Sequence, residues 1–336
     1  MDALQKRWIM LLVGAGVLFF LSPLVLGRYM VFILNLFAVY ALVSIGLNLV
    51  MGYTGQISAG HAGFLAIGAY FTAIVGTKMG WMPALLILPL AGLFTGLIGF
   101  LLGIPILRLK GFYIAMATLA FGVVVGEIIL QWSGLTHGDD GFHVPRAALA
   151  GFVFNSDKRL FYLVQPITLG MVLVARNIVR RRVGRAFIAI RQSEIASQTM
   201  GIHLAKYKTS AFAVSAFYTG IAGGLFAFVI THISPDSFNL GVSIDFIAMI
   251  VIGGMGSILG SIIGAVILTG LQQLLTGLPE VQMLIFGVAL ILFMIFMPRG
   301  ISGMLFDLRE KLGKSGNGEG KGKEVNGTFP DGMKRG

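Results

Sequence analysis

Apolar runs of about 20 residues recur from one end of this chain almost to the other, the length a helix needs to cross roughly 30 Å of hydrocarbon. Inside lipid no water satisfies free backbone N–H and C=O groups, so a spanning segment is a helix or part of a closed barrel. The runs are continuous rather than alternating in polarity, which speaks for helices and against strands. Composition points the same way. Charged residues make up 12% of the 336 positions and hydrophobic residues 56%, where a soluble domain carries about 25% charged residues. The 47 glycines suit helices that pack backbone to backbone. The expected fold class is an all-α integral membrane protein.

Nine apolar blocks lie near residues 8–26, 30–50, 57–77, 81–107, 112–132, 160–178, 207–231, 243–275 and 281–298. The first follows Lys6 and Arg7 but is long and lacks a small-residue cleavage site, so it reads as a retained helix rather than a signal peptide. Lys and Arg accumulate in cytoplasmic loops. With the N-terminus inside, six crossings return the chain at Arg176, Arg180, Arg181, Arg182, Arg185 and Arg191, the densest positive cluster in the sequence. Arg108 and Lys110 also fall inside. The loop of about 133–159 falls outside, where Asp139, Asp140 and Asp157 balance Arg146, Lys158 and Arg159.

The eighth block is too long for one span, and Gly253-Gly254-Met255-Gly256-Ser257 breaks it into a short piece near 243–252 and a full one near 258–275. The short piece reads as a half-helix or re-entrant element, tolerated where protein buries its free backbone groups. About ten spans result, with both termini cytoplasmic. Residues 1–306 then form one transmembrane domain, with a cytoplasmic loop at about 176–208. The tail 307–336, with Arg309, Lys311, Lys314, Lys321 and Lys323, is expected to be polar, cytoplasmic and disordered.

The net charge of +11 is accounted for by topology and contact with the lipid bilayer, and no nucleic-acid partner is expected. Without Cys the chain has neither a disulfide nor a Cys-based metal site. A phosphate loop needs G-x-x-x-x-G-K-[ST]. The one Gly-Lys-Ser, Gly313-Lys314-Ser315, has Leu308 where the first Gly should stand. No H-E-x-x-H pair and no Ser/His/Asp constellation stands out. No catalytic residue, no metal and no cofactor is expected in this chain, which is read as a non-enzyme.

The segment from Gly52 to Phe64 packs small and polar residues at the start of an apolar block. Polar groups at membrane depth are costly unless hydrogen-bonded or facing a cavity. The segment reads either as an interrupted helix lining a substrate path, presenting Thr54, Gln56, Ser58 and His61, or as a hairpin in close helix contact with His61 bonded to a neighbour. Glu127 is read as the one carboxylate deep within an apolar block, and joins those four as a candidate path residue. It has no intramembrane cation to pair with, which argues against proton coupling. Residues 183–202 place Phe187, Ile190 and Ile195 at helical spacing with charges between them. Two short amphipathic helices joined by a turn, with Gly201 ending one of them, would form a docking knob. Gly256, Gly260 and Gly264 fall at i, i+4 and i+8 and are expected to line one face of a helix for close packing.

Four segments together resemble one family: Gly52-Tyr53-Thr54-Gly55-Gln56 with Gly60-His61-Ala62-Gly63-Phe64; Gly111-Phe112-Tyr113 through Thr118-Leu119-Ala120-Phe121-Gly122; Gly184-Arg185 through Gly201-Ile202; and Gly253 to Ser257. In this order they resemble the LivM-type permease subunit of branched-chain amino acid ABC importers. The resemblance implies a bacterial inner-membrane location and a second, related permease subunit. It also implies two cytoplasmic ATPase subunits, which would bind the ATP and Mg, and a periplasmic substrate-binding protein. It further implies that the segment with Gly184, Arg185, Ala189, Arg191, Glu194, Ala196, Gly201 and Ile202 couples to the ATPase. Two positions depart from the family pattern. Val123 rather than Glu follows Gly122, the acid coming later at Glu127, and His137 stands where the family's outer loop often has the first Gly of T-G-G-x-x-G. Permeases for urea and short amides are similar. In a different class, an ion-coupled secondary transporter would require paired intramembrane charges, which the sequence does not offer.

Overall fold

The computed structural model describes residues 19–304, apart from 81, 107, 108, 110, 150, 151, 278–283, 286, 289, 290, 294 and 296–299. Most of the first apolar block with Lys6 and Arg7, the Arg108–Lys110 pair, much of the last block and the tail 307–336 lie outside the described residues.

The described chain is helical nearly throughout. Its main helices are α1 (Arg28–Asn48), α2 (His61–Lys78), α3 (Ala84–Ile106), α4 (Phe112–Gln131), α5 (Asp157–Arg180), α6 (Arg182–Gln192), α7 (Glu194–Thr199), α8 (Leu204–Ile230), α9 (Leu240–Gly253) and α10 (Ile258–Leu274). A π-helical turn, Leu49–Tyr53, extends α1. Six of the described helical segments are long and apolar enough to cross a membrane. They are Arg28–Tyr53, α3, α4, α5, α8 and Pro235–Gly253, the last being α9 with a leading 3-10 turn, while α10 is apolar but shorter. The chain is thus a multi-pass helical membrane protein. Four of the helices start on a side-chain cap, which satisfies one of the amides left free there. Ser156 caps α5, Ser193 caps α7, Asn239 caps α9 and Ser257 caps α10.

Among the described residues, strands, which the apolar pattern argued against, occur as two-residue pairs at one end of the bundle. Phe142–His143 pairs antiparallel with His232–Ile233, and Ala148–Leu149 with Phe152–Val153. These pairs lie outside the long helices, where loop polarity rather than membrane apolarity governs the chain. They define a loop end. The short helices α6 and α7 define the opposite, knob end.

Helices α8 and α1 form the centre. Within its apolar window 78% of α8 is buried and 67% of α1, against 28% for α4 and α5. Close approach of α8 to α2 depends on absent side chains. A Cβ on Gly68 would sit 2.2 Å from the Gly220 carbonyl oxygen, and one on Gly223 2.2 Å from that of Leu65. Such contact surfaces of small residues let backbones meet where lipid supplies no hydrophobic drive between helices. Polar ties add to this packing. Tyr218 Oη donates to the Met171 carbonyl at 2.9 Å, joining α8 to α5, and Gln165 Nε2 donates to the Leu34 carbonyl at 3.1 Å, joining α5 to α1.

The expected break in the eighth block is present between α9 and α10. Gly260 and Gly264 pack α10 against α9, where Cβ atoms would come within 2.5 Å of the Gly253 carbonyl oxygen and 1.9 Å of the Met249 carbonyl oxygen. Gly256 does not share that helical face. It lies in the turn ahead of α10 with φ of 83°, a left-handed conformation that a helix interior excludes.

Candidate functional site

Between the π turn of α1 and the start of α2, residues 55–60 form no regular structure. Gly55, with φ of 73°, turns the chain there. The polar side chains of this break are buried and bonded. Thr54 Oγ1 donates to the Val50 carbonyl at 2.5 Å and accepts from Gln56 Nε2 at 2.9 Å. The Ser58 hydroxyl lies 3.0 Å from His61 Nδ1, and His61 Nε2 lies 2.7 Å from Ser215 Oγ of α8. The Ala59 amide donates to Thr118 Oγ1 of α4 at 2.9 Å, and the Ala62 amide to Ser243 Oγ of α9 at 3.0 Å. Hydroxyls from three helices therefore satisfy backbone and imidazole groups that an interrupted helix leaves open. Thr54, Gln56, Ser58 and His61 do not line an open surface here. They hold the break in place, and Gln56 Oε1 is left without a partner.

Thr118, Ser215 and Ser243 were not singled out as site residues from sequence. Each is one hydroxyl in an otherwise apolar run, a pattern that most often bonds back to its own helix. Thr118 does this too, with the Ile114 carbonyl at 3.0 Å.

Glu127 stands apart from those four residues. It is exposed on α4, its carboxylate 3.4 Å from Gln131 Nε2. It lines a groove of about 270 Å³ between α2, α4 and α9, together with Leu119, Val123, Phe238, Leu240 and the carboxylates of Asp139 and Asp236. The groove runs from the loop end down to Ala59 and Ala62, at the start of α2. Its walls set Leu119, Val123, Leu130, Phe238 and Leu240 beside the polar groups of Glu127, Asp139, Asp236, Asn239 and Ser243. Glu127 is not the sole carboxylate within the spanning helices, as the sequence suggested. Asp245 lies in the second turn of α9 and accepts from Gln272 Nε2 of α10 at 2.8 Å. In the sequence the apolar run begins near 243, which puts Asp245 at its edge, whereas the helix starts at Leu240.

At the knob end, α6 and α7 form the expected pair of short helices, joined at Ser193 rather than at Gly201. Gly201, φ 81°, ends α7. Its amide donates to the Gln198 carbonyl at 3.1 Å and that of Ile202 to the Ser197 carbonyl at 3.0 Å, the Schellman pattern. Gly184 permits the sharp turn from α5 into α6, since a Cβ there would sit 2.1 Å from the Val179 carbonyl oxygen. The apolar residues divide between two faces. Phe187 and Ile190 are buried against the helix bundle, while Ile195 is 79% exposed and Met200 83% exposed. Arg185 reaches the Arg180 carbonyl at 3.5 Å, Ala189 accepts the Ser193 amide at 3.1 Å, and the Ala196 amide donates to Ser193 Oγ at 3.2 Å. Glu194 bonds Lys208 Nζ of α8 at 2.7 Å, which neutralises an otherwise buried ammonium. Arg191, exposed along much of its length, donates to the Gly52 carbonyl.

Comparison with known proteins matches this architecture to one family. The family model described as branched-chain amino acid transport system / permease component covers residues 29–294. The high-affinity branched-chain amino acid transport system permease protein LivM of Salmonella typhimurium is 35% identical, over 96% of this chain and 79% of its own length. The protein of the same name from Escherichia coli is 35% identical over 90% of this chain and 76% of its own length. The ribose import permease protein RbsC of Haemophilus influenzae is 27% identical over 72% of this chain and 76% of its own length. No solved structure matches the chain significantly. A transport permease, not an enzyme, is what these matches and the helical bundle describe: the chain belongs to the family of branched-chain amino acid transport system permease components.

Proposed function

We propose that this chain is the membrane subunit through which an ABC importer passes branched-chain amino acids. The observation that carries the reading is the groove between α2, α4 and α9. It sets aliphatic residues, Leu119, Val123, Leu130 and Leu240, beside the carboxylates of Glu127, Asp139 and Asp236, above a floor made by the hydrogen-bonded break at 55–60. The aliphatic residues suit an aliphatic side chain, and the carboxylates suit its ammonium group. The relatives at 35% identity bear the name of branched-chain amino acid permeases, which favours that substrate class over urea or short amides.

In this reading the chain makes about ten spans with both termini cytoplasmic, which places the Arg-rich knob in the cytoplasm and the 133–159 loop in the periplasm. Residues 1–306 form the permease domain of a bacterial inner-membrane complex. A second, related permease completes the path, and a periplasmic binding protein delivers substrate at the loop end. Two ATPase subunits, which bind the ATP and Mg, dock on α6 and α7. ATP binding closes the ATPases, the knob transmits the motion, and access alternates from the loop end to the knob end. Glu127 borders the path, the Thr54–His61 segment closes its floor, and the knob from Gly184 to Ile202 couples to the ATPases, with Ile195 and Met200 on its docking side and Arg191 bonded to the permease.

The test is leucine uptake into vesicles holding the whole complex and its binding protein. Uptake should require internal ATP and persist with an uncoupler. Uptake that collapses with the uncoupler while ATP stays high would assign the chain to ion-coupled transport instead.

A further inference from the structure

Two chain breaks and the knob meet at one point. Asn48, in the last turn of α1, makes three bonds across the second break. Its Oδ1 accepts from the Gly256 amide at 2.9 Å, and its Nδ2 donates to the Ser257 carbonyl at 2.9 Å and to Ser261 Oγ at 2.6 Å. The turn 254–257 is therefore tied to the end of α1, which leads directly into the first break at 55–60. Arg191 of α6 lies across both. Its guanidinium donates to the Gly52 carbonyl, its aliphatic stem lies over Gly55, and its Nη1 would be 3.0 Å from a Cβ on Gly256. The glycines make this meeting possible. A Cβ on Gly52 would stand 1.6 Å from Asn48 Oδ1 and 2.5 Å from the Gly256 nitrogen. Gly55 and Gly256 hold φ values of 73° and 83°, open to glycine and costly to other residues.

We infer that Arg191 and Asn48 are positioning residues that clamp the knob and both chain breaks into one rigid unit, so that motion of the knob moves the 55–60 and 254–257 breaks together. The inference rests on the reading that α6 and α7 dock an ATPase, and it adds which internal contact carries the motion onward. Sequence grouped Arg191 with the residues that would face the ATPase. Its bond points the other way, into the permease. A guanidinium is suited to this place because its planar fork can serve a carbonyl while its stem packs on backbone. The carbonyl it meets lies in a helix's last turn, where acceptors lack an intrahelical partner.

The experiment uses the full complex in proteoliposomes. Arg191→Ala should leave the ATPases bound and hydrolysing, but amino acid imported per ATP should fall about tenfold or more, since broken coupling wastes turnovers rather than stopping them. Arg191→Lys, which keeps a donor, should recover part of that ratio. An unchanged ratio in Arg191→Ala overturns the clamp, and so does loss of the ATPases, which would make Arg191 part of the docking face. The docking reading fails separately, if Ile195→Asp with Met200→Asp leaves the ATPases bound. A second measurement does not depend on variants folding in the clamp. The chain has no Cys, so spin labels can be placed on Ile57, Met255 and Ile188, all exposed. The three distances should be the same in nucleotide-free and ATP-trapped complexes. A change in the Ile57–Ile188 or Met255–Ile188 distance between those states overturns the rigid unit.

Discussion

His137 adopts a left-handed backbone, with φ of 64° and ψ of 8°, at the end of the short helical turn Ser133–Thr136 that follows α4. That region costs an L-residue roughly 1–2 kcal/mol, and glycine enters it freely. The position where this sequence departs from the family's glycine is thus one where glycine fits the backbone better. His137→Gly should raise stability by up to about 1 kcal/mol, since glycine's greater freedom in the unfolded chain takes back part of the gain. A higher melting temperature of the detergent-solubilised protein checks it. A drop would mean that the edge-on contact with Phe142, at 4.7 Å between ring centres, outweighs the strain. His61 offers the opposite case. His61→Leu strips partners from the buried hydroxyls of Ser58 and Ser215, at about 1–3 kcal/mol for each group left unsatisfied. Adding Ser215→Ala should restore part of the loss, because removing both partners of a bond costs less than removing one. The same melting assay decides. Sequence could point to His61 because histidine is rare in an apolar run. It could not point to Ser215 or Ser243, since nothing local distinguishes a hydroxyl that reaches another helix from one that bonds its own.

The helices were legible wherever composition changes sharply. The break before α10 shows as Gly253-Gly254-Met255-Gly256, and the knob shows as charge at helical spacing. Within the knob, the joint was not legible. Ser193 makes it by capping α7, and serine in an amphipathic stretch has many other uses. Periodicity groups Ile195 with Phe187 and Ile190, yet the joint at Ser193 restarts the helix and sends Ile195 outward. Two large apolar residues exposed on a charged projection mark an interaction surface. Ile195→Asp with Met200→Asp should leave folding unchanged, since neither residue is buried, and should reduce ATPase co-purification at least tenfold. Retention of the ATPases would place the docking face elsewhere.

At the level of the whole molecule, sequence supplied a multi-pass bundle but not its centre. All the spans are apolar, so hydropathy does not reveal that α8 and α1 are enclosed while α4 and α5 face outward. That distinction comes from where glycines meet across helices, as Gly68 meets Gly220, and such pairs are long-range. Among the described spans α4 is the most loosely attached. It rests on the start of α2, where a Cβ on Gly60 would stand 2.1 Å from the Thr118 carbonyl oxygen and one on Gly63 3.0 Å from the Gly122 Cα. Gly63→Leu should therefore push α4 away from the groove floor and impair transport more than tenfold. Wild-type uptake in that variant would show that this contact does not set the groove.

The other flank of α4 borders a fissure of about 550 Å³ against α2 and α3, walled by Phe71, Phe94, Phe121, Val125 and other apolar residues. In a bilayer, hydrocarbon tails fill such a space. Any swing of α4 that widens the groove must then squeeze lipid out of the fissure, and the reverse swing must draw it back. The membrane acts as a spring on this helix, and the order of its acyl chains sets the stiffness. Turnover should slow in vesicles of saturated, tightly ordered lipid while ATPase binding is unchanged.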